Sequence, residues 1–290
     1  MNWALDVGLP LSLVIIMLSL GLDLEIADFR RVLTRRTAFA IGAIAQIIIV
    51  PIIALAITLV FNFPPEIALG FFILSLCPGG VTSNVLSKLA KGDVALSVTL
   101  TAVVSLLSVM TVPVATAWAV QFYLGTAAPE ISIGKLAIAI FIIITVPIIL
   151  GIVIRRSSIN IATKINRLLS PVSIVLFVVI VIAALATNWQ IFIDNVGTMG
   201  AGLLLMCAIL LGIGFLLSRL AGLLQREART ISIETGIQNA TTGIFIGGLV
   251  MSVDTGLSPL AIPSAVYGIL MYSLAFPLVL WLRRGVVSDG

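Results

Sequence analysis

Histidine is absent from this chain of 290 residues, and cysteine occurs only twice. The absence of histidine excludes His-ligated metal sites, Ser-His hydrolases and histidine proton relays. Cys77 and Cys207 both lie in apolar stretches, so we expect two free buried thiols rather than a disulfide framework.

Charge is scarce as well. Charged types make up 10% of the residues and hydrophobic types 60%, whereas an average soluble domain carries about 25% charged residues. So few charges cannot cover a water-soluble surface, and we predict a chain embedded in the membrane almost throughout. The net charge of +4 does not indicate a nucleic-acid partner, because the basic residues lie beside predicted helix ends.

Long hydrophobic runs dominate what is present. A membrane-spanning helix needs about 20 mainly apolar residues, and the chain offers nine such runs, at about 7–22, 37–61, 67–89, 94–123, 136–154, 168–186, 196–217, 231–253 and 261–282. The first run lacks a basic leader and a small-residue cleavage site, so it is expected to be a permanent helix. The sequence therefore predicts an all-α polytopic membrane protein, with residues 1–290 forming a single transmembrane domain and no separate soluble domain.

Lysine and arginine indicate the orientation. Fifteen of the sixteen follow odd-numbered spans: Arg30, Arg31, Arg35, Arg36, Lys88, Lys91, Arg155, Arg156, Lys164, Arg167, Arg219, Arg226, Arg229, Arg283 and Arg284. Only Lys135 lies on the opposite side. Because basic loops are retained in the cytoplasm, we predict a multi-pass protein of the inner (cytoplasmic) membrane with its N-terminus outside and its C-terminus inside.

Glu234 is the one acidic residue of twelve that is not in or beside a loop. It lies in the eighth span, and an ionisable group there indicates a functional site. The alternative is a solvated position near the interface. On a regular helix Glu234 shares a face with Gln238, and a break at Gly236 would free the carbonyls of Thr235 and Ile237. Either arrangement is an oxygen-only site, which suits an alkali cation better than a transition metal.

The third span contains a second polar motif, Cys77-Pro78-Gly79-Gly80 followed by Ser83-Asn84. Proline and two glycines predict an unwound helix at membrane depth, although a kink required only for packing is the alternative. The third and eighth spans are five apart, an odd offset that makes them inverted copies. Paired interrupted helices of this kind indicate a transporter site near the membrane midplane.

Weaker signals come from Ser97 and Thr101 in the fourth span and Gln46 in the second. Hydroxyls often bond back to their own helix, and a lone glutamine often joins two helices. The residues alone leave these alternatives open.

Together these motifs resemble the bile acid:sodium symporter family. The resemblance rests on Leu20-Gly21-Leu22, Asp28-Phe29, Gln46, Cys77-Pro78-Gly79-Gly80, Ser83-Asn84, Gly92-Asp93-Val94-Ala95-Leu96-Ser97 and Glu234-Thr235-Gly236-Ile237-Gln238-Asn239. It implies two Na⁺ ions bound where two broken helices cross. One set of ligands is Ser83, Asn84, Ser97, Thr101 and Glu234, and the other is Gln46, Gln238, Glu234 and the carbonyls of Thr235 and Ile237.

The resemblance also implies an architecture and a function. Spans 2, 3, 4, 7, 8 and 9 would form a core and spans 1, 5 and 6 a panel. Well-known bacterial members have ten spans in two five-helix repeats, whereas the nine spans predicted here give a four-plus-five inverted repeat with halves at about 1–123 and 136–290. The expected function is sodium-coupled import of a small organic anion by alternating access. Candidate substrate contacts are Val81, Thr82, Asn239 and Tyr272.

Substrate and coupling have alternatives. Val81 replaces a hydroxyl residue of close relatives and Met271-Tyr272 a polar pair of some others, so a keto acid, hydroxy acid or pantoate-like metabolite is expected rather than a bile acid. A proton-coupled or efflux carrier of the same plan, like the arsenite or auxin carriers, is the rival function, because Glu234 could bind a proton instead. An intramembrane enzyme is not expected, and nothing in the sequence indicates a protein partner.

Overall fold

The computed structural model describes residues 7–25, 27–29, 34–251 and 257–284. Arg30, Arg31 and the predicted external loop around Asp254 lie outside the described residues. The backbone of Val81 and Arg284 is described, but their side chains are not.

Helices account for the regular structure of the described residues. In chain order they are α1 (Gly8–Asp23), α2 (Arg36–Phe61), α3 (Pro65–Ser75), α4 (Val81–Leu89), α5 (Val94–Leu124), α6 (Ile133–Ser157), α7 (Ile159–Thr187), α8 (Trp189–Leu220), α9 (Gln225–Gly236), α10 (Ala240–Val250) and α11 (Ile262–Arg284). Within the described ranges six are long and apolar enough to cross a membrane, namely α2, α5, α6, α7, α8 and α11 with its preceding turn. Helices α1, α3 and α10 are apolar but shorter. The all-α membrane fold is confirmed, and the count of nine spans stays a prediction.

The sixth span begins earlier than predicted. Helix α7 starts at Ile159 rather than near residue 168, so most of the expected basic loop at 155–167 is helical. Ser158 caps this helix by accepting a hydrogen bond from Ile161 N at 3.4 Å. Basic residues do not end the helix because Lys and Arg are good helix formers.

Two helices widen immediately before a proline. Residues Ala45–Ile49 of α2 and Phe141–Thr145 of α6 form π-helical turns, and Pro51 and Pro147 follow them in the next turn. A proline removes a hydrogen bond and crowds the carbonyl four residues earlier, and a wider turn accommodates both effects. The widened turn of α2 contains Gln46.

Helices α1, α6 and α7 pack as one group. A Cβ added to Gly21 would collide with the backbone of Ile148, and one added to Gly151 would collide with the backbone of Gly21. Helices α1 and α6 therefore touch backbone to backbone at these glycines. Arg155 of α6 reinforces the pair by donating to the carbonyl of Leu22 at 3.0 Å.

Two short non-helical segments, called links below, contact each other between the remaining helices. Residues 76–80 separate α3 from α4, and 237–239 separate α9 from α10. Gly79 and Gln238 form an isolated antiparallel bridge, and Asn239 N donates to the carbonyl of Pro78 at 2.9 Å. Each link thus satisfies part of the backbone that the other leaves without helical hydrogen bonds.

Candidate ion and substrate site

Glu234 projects its carboxylate into the place where the two links meet. The residue is fully buried, with 0% of its surface exposed. Ser83 Oγ lies 2.6 Å from Glu234 Oε1 and 2.6 Å from the carbonyl of Gly80, and Thr101 Oγ1 donates to Glu234 Oε2 at 2.9 Å. Ser97 Oγ also lies within hydrogen-bond distance of Oε1. Hydroxyls from α4 and α5 therefore converge on one carboxylate of α9.

Two amide side chains complete this group. Gln46 Nε2 donates to the carbonyl of Glu234 at 2.9 Å and lies 3.3 Å from its Oε2. Asn84 Oδ1 lies 2.8 Å from Ser97 Oγ, so it touches the same hydroxyl that faces the carboxylate. The structure thus brings these predicted ion ligands into one buried cluster.

Two buried amide oxygens in this region lack a hydrogen-bond donor among the described residues. They are Gln46 Oε1 and Gln238 Oε1. The amide nitrogen of Gln238 is used, since Nε2 donates to the carbonyl of Thr235 at 2.8 Å. A buried acceptor without a partner is costly, and both oxygens belong to the ligand set predicted for one of the two ions. A bound cation would satisfy them.

The carboxylate of Glu234 also has no ion-pair partner among the described residues. The ion pairs found in the described part of the chain join Arg35 to Glu227 at 3.3 Å and Arg155 to Glu25 at 2.5 Å, away from this cluster. Among the same residues, no three His, Cys, Asp or Glu side chains lie together so that they could hold a metal. The chemistry is therefore that of one carboxylate among neutral oxygens, which suits an alkali cation.

A cavity of about 390 Å³ lies beside the crossing. Thr82, Asn239 and Tyr272, three of the four predicted substrate contacts, line it together with Gln238. Tyr272 Oη donates to Thr82 Oγ1 at 2.9 Å. The fourth contact, Val81, starts α4 next to these residues, and its side chain is not described.

Two short helices begin at this cavity. Gly80 and Thr82 line it at the start of α4, and Asn239, Ala240 and Thr241 line it at the start of α10. Asn239 caps α10 by accepting a hydrogen bond from Thr242 N at 3.1 Å. Free backbone N–H groups and the helix dipole make a helix N-terminus favourable for an anion. None of the side chains that line the cavity carries a charge.

Sequence reasoning missed two polar residues at the crossing. Tyr267 is completely buried, and its hydroxyl donates to the carbonyl of Gly236 at 2.7 Å, at the end of α9. Ser87 Oγ lies 3.2 Å from Ser97 Oγ. Ser87 follows Ser83 by four residues, and this helical spacing is the signal that could have identified it.

Residues 10–195 match the sequence model of the Sodium Bile acid symporter family. The chain belongs to this family. As a sodium bile acid symporter family member it is a membrane transporter, not an enzyme, and the resemblance found in its motifs is confirmed.

Named relatives within the family differ in what their names say they carry. The chain is 33% identical over 262 residues to the uncharacterized sodium-dependent transporter YocS of Bacillus subtilis, covering 88% of this chain and 76% of that one. It is 26% identical to the probable sodium/metabolite cotransporter BASS1 of Arabidopsis thaliana chloroplasts, over 94% of this chain and 67% of the relative. It is also 26% identical to the human ileal sodium/bile acid cotransporter, over 81% and 67% of the two chains. All three names include sodium, the second names a metabolite and the third a bile acid, and the first names no substrate.

Proposed function

We propose that this chain imports a small organic anion by coupling its movement to two Na⁺ ions bound where the links 76–80 and 237–239 cross. The observation that carries the proposal is a fully buried carboxylate, Glu234, which has no counter-charge within the described ranges and lies close to two amide oxygens that have no donor there. Burying a charge is tolerated only when it is paired or coordinates a metal, and sodium dependence is shared by the relatives.

The two ions would divide the ligands around the carboxylate that they share. The first site would use Ser83, Asn84, Ser97, Thr101 and Glu234. A hydroxyl can donate its proton to the carboxylate and still offer a lone pair to an ion, so the hydrogen bonds to Glu234 are compatible with coordination. The second site would use Gln46, Gln238, Glu234 and the carbonyls of Thr235 and Ile237. An ion there would bind the side-chain oxygens of Gln46 and Gln238, which have no donor among the described residues.

The architecture proposed for transport has nine spans. In it α3 with α4 and α9 with α10 are discontinuous spans, related as inverted copies within halves of four and five spans at about 1–123 and 136–290. The α1, α6 and α7 group would act as the panel that moves against the remaining helices. Alternating access then opens the crossing to one side at a time.

Contacts between the basic helix ends support placing them on one side. Asn166 Nδ2 donates to Asp23 Oδ1 at 2.6 Å and joins α7 to the end of α1. Thr99 Oγ1 lies 3.2 Å from the carbonyl of Asp28, so the start of α5 lies beside the segment 27–29 that follows α1. In the proposed orientation this side is cytoplasmic and the N-terminus is external.

Labelling of single cysteines tests this orientation. Glu66→Cys and Ser157→Cys place thiols at exposed positions on opposite sides, while both native cysteines are buried. In intact cells an impermeant maleimide should modify the first and spare the second, and permeabilisation should expose the second. Protection of position 66 with labelling of position 157 would reverse the topology.

The charge count favours an anionic substrate and predicts electrogenic uptake. Two Na⁺ ions and one carboxylate leave a charge of +1 beside the N-termini of α4 and α10. Carrying one monoanion with two Na⁺ ions moves one positive charge inward per cycle. The membrane potential contributes about 2.3 kcal/mol per 100 mV for that charge, which is roughly fiftyfold in accumulation.

Uptake by purified protein in liposomes tests the coupling. We expect accumulation of a labelled small carboxylate with an inward Na⁺ gradient, acceleration by a potassium–valinomycin potential that is negative inside, and no uptake when potassium replaces sodium at fixed pH. Uptake that follows a pH gradient without sodium would support the proton-coupled alternative. Sodium-driven uptake that ignores voltage would refute the two-ion charge count.

A further inference from the structure

The polar groups on the two walls of the cavity differ in what they can offer a ligand. The wall formed by α4, α10 and α11 is rich in donors. Because Tyr272 gives its proton to Thr82 Oγ1, the proton of Thr82 remains available. Because Asn239 Oδ1 accepts from Thr242 N, the remaining capacity of Asn239 includes the two protons of Nδ2. These donors and the two helix N-termini suit a carboxylate.

The opposite wall, formed by α1 and α7, presents acceptors. Ser19, Ser170 and Ser173 line the cavity there. Ser19 Oγ donates to Asn166 Oδ1 at 2.6 Å, and Ser173 Oγ donates to the carbonyl of Leu169 at 2.8 Å. A hydroxyl has one proton, so Ser19 and Ser173 retain only lone pairs for a ligand.

The second hydrogen bond of Asn166, to Asp23, fixes the direction of the hydrogen bond between Ser19 and Asn166. Asn166 Nδ2 donates to Asp23 Oδ1 at 2.6 Å, and this bond places the amide nitrogen toward Asp23 and the amide oxygen toward Ser19. Ser170 makes no hydrogen bond with the described residues and can act as donor or acceptor, so it does not discriminate between ligands.

From this division we infer that Ser19 and Ser173 form an acceptor subsite that selects a carboxylate bearing a separate hydroxyl group. The inference rests on the proposed function and specifies its substrate class. The carboxylate would bind the donor wall and the substrate hydroxyl would donate to Ser19 or Ser173. A keto group at the same carbon offers only lone pairs, and these would face the lone pairs of the two serines.

The test uses acids that differ only in a hydroxyl or a keto group. The pairs are lactate with pyruvate, 3-hydroxybutyrate with acetoacetate, and 4-hydroxypentanoate with 4-oxopentanoate. Sodium-driven uptake by the full chain in liposomes should give a half-saturating concentration about three- to tenfold lower for the hydroxy acid in at least one pair, as one neutral hydrogen bond provides. Ser19→Ala and Ser173→Ala should each reduce this preference, and the double variant should bring the ratio close to one.

Thr163→Ala is the matched control. Like Ser173, Thr163 lies on α7 and donates to the carbonyl four residues earlier, that of Ile159, at 2.8 Å. Unlike Ser173, it is exposed and does not line the cavity. Its substitution should leave both the ratio and the sodium concentration for half activation unchanged. Equal affinities within every pair, or a preference that survives in the double variant, would overturn the inference and leave sodium-coupled anion import standing. Absence of sodium-driven uptake for all six acids would overturn the proposed function as well.

Discussion

Glu234→Gln is expected to abolish sodium-driven uptake. Glutamine keeps the size of the side chain and removes the charge that both proposed Na⁺ ions share. The carboxylate has no ion-pair partner among the described residues, so an ion at the crossing would lose its only charged ligand there. Truncating a buried charge pair costs about 2–5 kcal/mol, or roughly 30- to several-thousandfold in sodium affinity. Uptake of a labelled carboxylate into liposomes, measured against sodium concentration, provides the test.

Glu227→Gln is the matched control for this change. Glu227 is also buried and lies on the same helix, but its Oε2 accepts from Leu224 N at 3.0 Å and its Oε1 pairs with the exposed Arg35 at 3.3 Å, away from the proposed ion site. Glutamine preserves this cap, so sodium activation should remain.

Thr101→Ala removes one neutral ligand and should only raise the sodium concentration for half activation. Normal sodium activation in Glu234→Gln would rule out Glu234 as the charged ligand that the two Na⁺ ions share.

Gly79→Ala is expected to reduce uptake at limiting sodium by roughly five- to 150-fold. A Cβ at this position would collide with Glu234 Oε2 and come within 3.2 Å of Gln46 Nε2. The methyl group must displace the carboxylate or the amide, and both belong to the proposed ion site. Overpacking of this kind costs about 1–3 kcal/mol, and the displacement should appear as weaker sodium activation in the same uptake assay.

Gly248→Ala controls for the loss of a glycine. Gly248 lies on α10, and an added Cβ there meets nothing within 4 Å. Uptake and sodium activation should match the unmodified protein. If Gly79→Ala has the same thermal unfolding temperature and the same sodium activation as this control, Gly79 does not support the ion site by its small size.

Much of the site could be predicted from helix breakers and polar residues in apolar surroundings. Pro78 with its two glycines predicted a loss of helix, and the chain leaves the helix at 76–80. Gln46, Ser97 and Thr101 are ambiguous from spacing alone, because such residues often form hydrogen bonds within or between membrane helices without a ligand. Their common partner, Glu234, removes the ambiguity about their position, although their role as ion ligands stays a prediction.

The sequence by itself determined that this chain belongs in a membrane and that Glu234 is exceptional, because charged groups in a bilayer are costly and their rarity is visible in composition. Only the tertiary structure decided which atoms meet. Gln46 reaches Glu234 across 188 residues of chain, and Ser19 reaches Asn166 across 147. Hydrogen-bond direction depends on these distant partners, so the free amide oxygens at the crossing and the free lone pairs on the α1 and α7 wall could not be read from local sequence. The proposed cation sites and the proposed subsite for a substrate hydroxyl rest on those atoms.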